Sequence, residues 1–166
     1  MNPTSQISQA EAVLNAVTAR FAATVAGSGD PGAGTPLCGL SVGADLAQVR
    51  SRKLPWLVVE LSDIARRRVT ADGQVENESS LDLVVNDAAS PSGQGMLLAY
   101  RWAAWLESIL ILDAERQGGP ALDGTVDWIE PDGIHLEVGG IGFSGFTVRV
   151  RFRLRYSTAL GSPFSS

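Results

Sequence analysis

Between residues 146 and 157 the chain alternates without a break: Phe146, Val148, Val150, Phe152, Leu154 and Tyr156 are interleaved with Thr147, Arg149, Arg151, Arg153, Arg155 and Ser157. Only an extended strand sends successive side chains to opposite faces, so this segment must be a strand with one buried and one polar side. On the polar side four guanidinium groups stand roughly 7 Å apart, about 20 Å from first to last. Such a row repels itself and needs counter-charge. Three sources are open: acidic residues of the same chain, such as Glu76, Glu78, Asp82, Glu137 or Asp127; acidic residues of another subunit; or a polyanion. The interleaved Phe146 and Phe152 fit a core better than base-stacking platforms.

The rest of the chain supplies a sheet for that strand to join. Residues 54–61, Leu-Pro-Trp-Leu-Val-Val-Glu-Leu, read as a strand buried on both faces, with Pro55 near its start where a missing N–H is tolerated. Arg66, Arg67 and Arg68 come next as a basic cluster beside the Asp72-Gly73 turn, at a hairpin tip or contact loop. In the run over residues 75–86, Leu81, Leu83 and Val85 share one face and Glu76, Glu78 and Asp82 the other. Two further strands are expected at 125–129 and 134–138, parted by a Pro131-Asp132-Gly133 turn. The long strand over 143–156 closes the order, and the tail 157–166 is expected to fray or be taken up by a neighbour.

Two helices complete the reading. Ile7, Ala10, Val13, Leu14, Val17, Phe21 and Val25 recur at three and four residues, which predicts an amphipathic helix over 6–25. Leu98, Trp102, Trp105, Ile109 and Leu112 predict a second over about 98–116, ended by Gly118-Gly119-Pro120. Residues 27–36, with four glycines and two prolines, and residues 88–95 are loops. Residues 37–53 leave helix and strand both open. The expected architecture is α+β: a single domain over 1–166 with a mixed, mostly antiparallel sheet flanked by two main helices. A chain of 166 residues has the length for one sizeable core.

Chemistry finds little purchase in this pattern. His135 is the only histidine and Cys38 the only cysteine, so no intrachain disulfide and no His/Cys metal cluster can be built, and any triad must use His135. Gly140-Ile141-Gly142-Phe143-Ser144-Gly145 has dinucleotide-fingerprint spacing, but that motif requires a helix after it, where a strand is expected here. The glycine-rich 27–36 segment lacks the Gly-Lys-Ser/Thr ending of a phosphate loop. A net charge of -5 opposes nucleic-acid or anionic-membrane binding over the whole surface. Neither a signal peptide nor an apolar run of about 20 residues is present.

Four stretches together resemble the tail terminator family of long-tailed bacteriophages: the N-terminal amphipathic helix, the Leu54 to Leu61 run, the strand over 81–87 leading into the Trp-bearing helix, and the alternating strand ending at Tyr156. The likeness spans roughly residues 6–157 and consists of pattern, not of a signature motif. It implies a structural virion protein of the tail and neck, assembled in the host cytoplasm. Such a subunit joins a hexameric ring that ends tail-tube growth and meets the head-tail connector, with the tube protein as its other partner. Six copies at -5 each would total roughly -30, so DNA would pass the channel by repulsion without specific binding. The resemblance carries over no catalytic, cofactor or metal residue. Expected contacts with neighbouring subunits or the tube are Arg66, Arg67, Arg68, Arg149, Arg151, Arg153, Arg155, Glu76, Glu78 and Asp82. Another neck, connector or sheath-completion protein is the alternative, and a small hydrolase or nucleotide-binding enzyme the more distant one.

Overall fold

The computed structural model describes residues 8–27, 41–43, 55–88, 95–111, 117–140 and 143–159. Helix α1 (Gln9–Gly27) precedes strands β1 (Ser41–Gly43), β2 (Trp56–Val69) and β3 (Gln74–Ala88); helix α2 (Gly95–Leu110) and strands β4 (Trp128–Gly140) and β5 (Phe143–Ala159) complete the chain order. The sheet runs β1-β2-β3-β5-β4, with β1 parallel to β2 and every other neighbour antiparallel. This is the expected α+β, single-domain arrangement of a mixed, mostly antiparallel sheet and two helices.

The alternation in β5 sets the layers. Phe146, Val148, Val150, Phe152, Leu154 and Tyr156 are buried on one face, where β3 contributes Leu81, Leu83 and Val85 and β2 contributes Leu57 and Val59. Val13, Val17 and Phe21 of α1 and Ala99, Trp102, Ala103, Leu106 and Leu110 of α2 close that core. A ring contact joins the two helices, Phe21 lying 5.9 Å from Trp105, and within α2 Trp102 meets Trp105 edge-on at 5.5 Å. Trp102 also donates its indole N–H to Asp87 Oδ2 at 3.0 Å, which ties α2 to the end of β3.

Helix ends find local partners. Glu11 N donates to Ser8 Oγ at 3.1 Å, the first half of a Ser-x-x-Glu capping box. Arg20 reaches from α1 to the Leu110 carbonyl at 2.9 Å and satisfies an orphan acceptor at the end of α2. Strands of 13 to 17 residues are about 45 to 55 Å long, whereas helices of 19 and 16 residues span about 24 to 29 Å. The helices therefore cover only part of one face. Beyond them the core is continued by Ala121, Leu122, Val126 and Ile129, and by a buried polar knot in which Asn77 donates to Val75 O and Thr158 Oγ1.

Several sequence expectations need correction. Residues 125–129 and 134–138 are not two strands around a turn. From Trp128 onward they form one strand, β4, through Pro131, Asp132 and Gly133. Pro131 pairs with Phe152 and Gly133 with Arg151, so Asp132 is the extra residue of a β-bulge. Proline is compatible with this position because β4 is an edge strand. Arg66, Arg67 and Arg68 belong to β2 and not to a loop, since Arg66 is in register with Asn77 and Arg68 with Glu76. Burial on both faces is found at Leu57, Val58 and Val59 of β2, while Trp56, Glu60 and Leu61 are half-buried. Ser157, Thr158 and Ala159 do not fray but pair with Glu76, Val75 and Gln74. The Asp72-Gly73 turn is as expected, with Gly73 at φ 79 and its N–H donating to Thr70 O at 3.0 Å. The 27–36 loop (from residue 28), residues 37–40 and 44–53, the 160–166 tail and Cys38 lie outside the described residues.

Trp102 combines full burial, an edge-on contact with Trp105 and a hydrogen bond to Asp87. Trp102→Ala is expected to cost about 3 to 5 kcal/mol, read as a lowered urea midpoint at unchanged slope.

Candidate functional site

The polar residues of β5 fall on the sheet face opposite the helices, and the register decides what meets them. Directly across from Arg151 and Arg155 on β3 are Asp82 and Glu78, and Glu60 of β2 lies beyond Asp82. Asp82 is 3% exposed and sits between two guanidinium groups: Arg149 donates to Oδ2 at 2.7 Å, and Arg151 donates from Nε to Oδ1 at 2.8 Å and from NH2 to Oδ2 at 3.0 Å. Arg149 also reaches Glu60 Oε2 at 3.4 Å. Burial by itself pushes the Asp82 carboxyl up, but the hydrogen bonds from Arg151 and Arg149, added to their charges, outweigh it and hold the group below the ordinary carboxylate range.

The outer half of the row is answered from both sides. Arg155 pairs with Glu78 at 3.3 Å and lies 4.5 Å over the Trp128 ring, a cation–π contact across to β4. Arg153 has no acid opposite it on β3, where the register places Ser80. The bulge supplies one: Asp132 accepts from Arg153 at 2.7 Å, with Glu130 at 3.9 Å. Asp132 thereby raises the already high pKa of the guanidinium. Of the three possible sources of counter-charge, the chain itself reaches all four arginines. The acidic side of β3 is visible in sequence; the parts taken by Glu60, Glu130, Asp132 and the Trp128 ring are not. The remaining acids near these strands go elsewhere: Glu137 is in register with Thr147, and Asp127 accepts from Ser157 Oγ at 2.7 Å. Glu76 lies between Arg68 and Ser157 in the register, and Arg66 lies across from Asn77.

A groove of about 350 Å³ opens along this face, lined by Asp132, Gly133, Ile134, His135, Arg149 and Arg151. His135 is exposed on β4 directly opposite Arg149. Among the described residues no group of three or more His, Cys, Asp or Glu is placed to hold a metal. The glycine motif joins β4 to β5: Gly140 pairs with Phe143, which begins a strand, whereas a pyrophosphate site needs a helix N-terminus at that point. No helix among the described residues is long and apolar enough to cross a membrane.

No family model matches the chain, and no curated protein shows significant similarity to it.

The position of Asp82 has two measurable consequences. Asp82→Ala leaves two guanidinium groups without their shared acceptor, but both still reach water, so the expected loss is about 2 kcal/mol by urea denaturation. Arg153→Ala, whose partner Asp132 is itself solvent-exposed, should barely move the same midpoint. Because the folded Asp82 carboxyl titrates below its unfolded value, its contribution is fully present above the unfolded pKa of about 4 and is lost as pH falls through the folded one. Acid denaturation of wild type below about pH 4 should thus lose a component that Asp82→Asn already lacks.

Proposed function

We propose that this chain is a structural virion subunit that acts as the tail terminator of a long-tailed phage, closing the tail tube as a hexameric ring and presenting a surface to the head-tail connector. The reading rests first on the element order, which resembles that family over roughly residues 6–157. The observation that carries it furthest is the one-sided construction of the sheet. Both described helices lie on one face, while the opposite face and the outer edge of β4 have no described element on them. Surfaces of this kind suit a protein whose function is contact with copies of itself and with other structural subunits.

The arginine row takes a different part from a free cationic strip. With its guanidinium groups already engaged by acids of the same chain, the row stiffens the face and leaves it mixed in charge, so electrostatic grip on DNA is not its contribution. A net charge of -5 per chain is consistent with a channel that DNA traverses without being held.

Native mass spectrometry and light scattering of the full chain, alone and with tail-tube protein, test the reading. A species near six times the 17.5 kDa chain mass, formed alone or only on tube ends, is the expected result. A chain that stays monomeric in both conditions and leaves tube length unchanged would overturn it.

A further inference from the structure

The outer edge of β4 has two unlike halves. Pro131 and the Asp132 bulge interrupt the first, where Glu130 and Asp132 also answer Arg153. From Gly133 to Val138 the strand is regular, in step with β5 from Arg151 back to Phe146, and among the described residues no strand lies on its outer side. That stretch is open to solvent: Gly133, Ile134, His135 and Glu137 are exposed, Ile134 at 46%, and Leu136 is half-buried. His135 and Glu137 share the polar face, across from Arg149 and Thr147, while Ile134 and Leu136 share the helix face, across from Val150 and Val148. Among the described residues neither His135 nor Glu137 has a hydrogen-bonding or ionic partner.

We infer that two copies of this chain join β4 to β4, antiparallel about a two-fold axis at Leu136, so that their five-stranded sheets become one. The contact does not rest on the ring reading, because an isologous pair closes with two copies whereas a ring repeats a heterologous contact. Antiparallel addition matches outward backbone groups with outward ones, so the axis must pass through a residue and not between two. An axis at Leu136 sets His135 of each copy across from Glu137 of the other, imidazole to carboxylate, twice over. Moved to His135 or Glu137, the axis sets like against like; moved to Ile134, it leaves His135 facing a glycine. On the helix face the same register brings Leu136 against Leu136 and carries Ile134 to the level of residue 138. That row continues through Phe146 to Asp87, where Trp102 anchors α2. The exposed Ile134 thus arrives on the side of the sheet where α2 leaves Leu97 and Tyr100 exposed. Asp132 comes level with Gly140 and Glu130 falls beyond the paired stretch, so no acid opposes an acid.

Sedimentation of the full chain through a dilution series should show a reversible dimer at twice the 17.5 kDa chain mass. H135E opposes acid to acid in both pairs and should weaken that dimer about tenfold. H135E/E137K, which again sets one acid against one base in each pair, should recover it. Both side chains are exposed, so the urea midpoints of these variants should stay with wild type, which separates a lost contact from a lost fold. Cross-linking reads the register. Cys38 is the only native cysteine, and in a Cys38→Ser background a mixture of H135C and E137C chains should oxidise to a disulfide dimer. Neither variant should do so alone, because like positions are offset along the strands beyond bridging distance. A chain that is monomeric throughout and forms no mixed disulfide would overturn the inference, as would a dimer that H135E leaves unchanged or that H135E/E137K fails to restore. A six-fold species on tube ends without the mixed disulfide overturns the edge contact alone, and a disulfide-linked dimer that never caps a tube removes the ring reading alone.

Discussion

The sheet depends on a neutralisation problem solved at Asp82. Four guanidinium groups on alternate positions of β5 are tolerable in a folded chain only if acids arrive from both neighbouring strands at matching heights. Asp82 is shared between Arg149 and Arg151, Glu78 serves Arg155 from β3, and the bulged Asp132 serves Arg153 from β4. A shift of β3 by one residue would set Asp82 on the helix face and a core residue among the arginines. The ion pairs and the apolar layer thus specify the same register. That agreement between the two faces, more than the strength of any single pair, gives the long strands one way to align.

One-sidedness is the second consequence of the same strand. Its apolar half attracts both helices, and Trp102 and Trp105 are large enough to join α1, α2 and the sheet into one core. Among the described residues no helix lies on its charged half, and covering that half would strip water from partly exposed arginines and carboxylates. The face is not uniformly polar: Val58 and Val84 are buried on it beside the ion-pair lattice. A sheet so built has a chemically mixed surface on the side away from the helices.

One irregularity in the strands places a charge. The Asp132 bulge inserts a carboxylate aimed at Arg153, and it does so on an edge strand where Pro131 has no ladder hydrogen bond to lose. A Pro-Asp-Gly triplet is ordinarily a turn signal. Here the antiparallel pairing with β5 on both sides of the triplet overrides that local preference, because a turn would forfeit the pairing from Gly133 to Val138 and leave Arg153 without its nearest acid.

The fold class, the two helices, the β2–β3 turn and the division of β5 and β3 into apolar and charged faces are legible in the sequence, because each arises from a period of 2 or 3.6 or from turn chemistry within a few residues. The lengths of β2, β4 and β5, the pairing of β1, and the identity of the arginines' partners are not, because they depend on which strand lies beside which and at what offset. Glu60, Glu130 and Asp132 carry no local mark that distinguishes them from solvated acids; each acquires its role from a residue 21 to 89 positions away. The sequence alone determines that four positive charges share one side of a strand. Only the tertiary structure decides that the same chain answers them, since Coulomb attraction falls with distance in space and takes no account of distance along the chain.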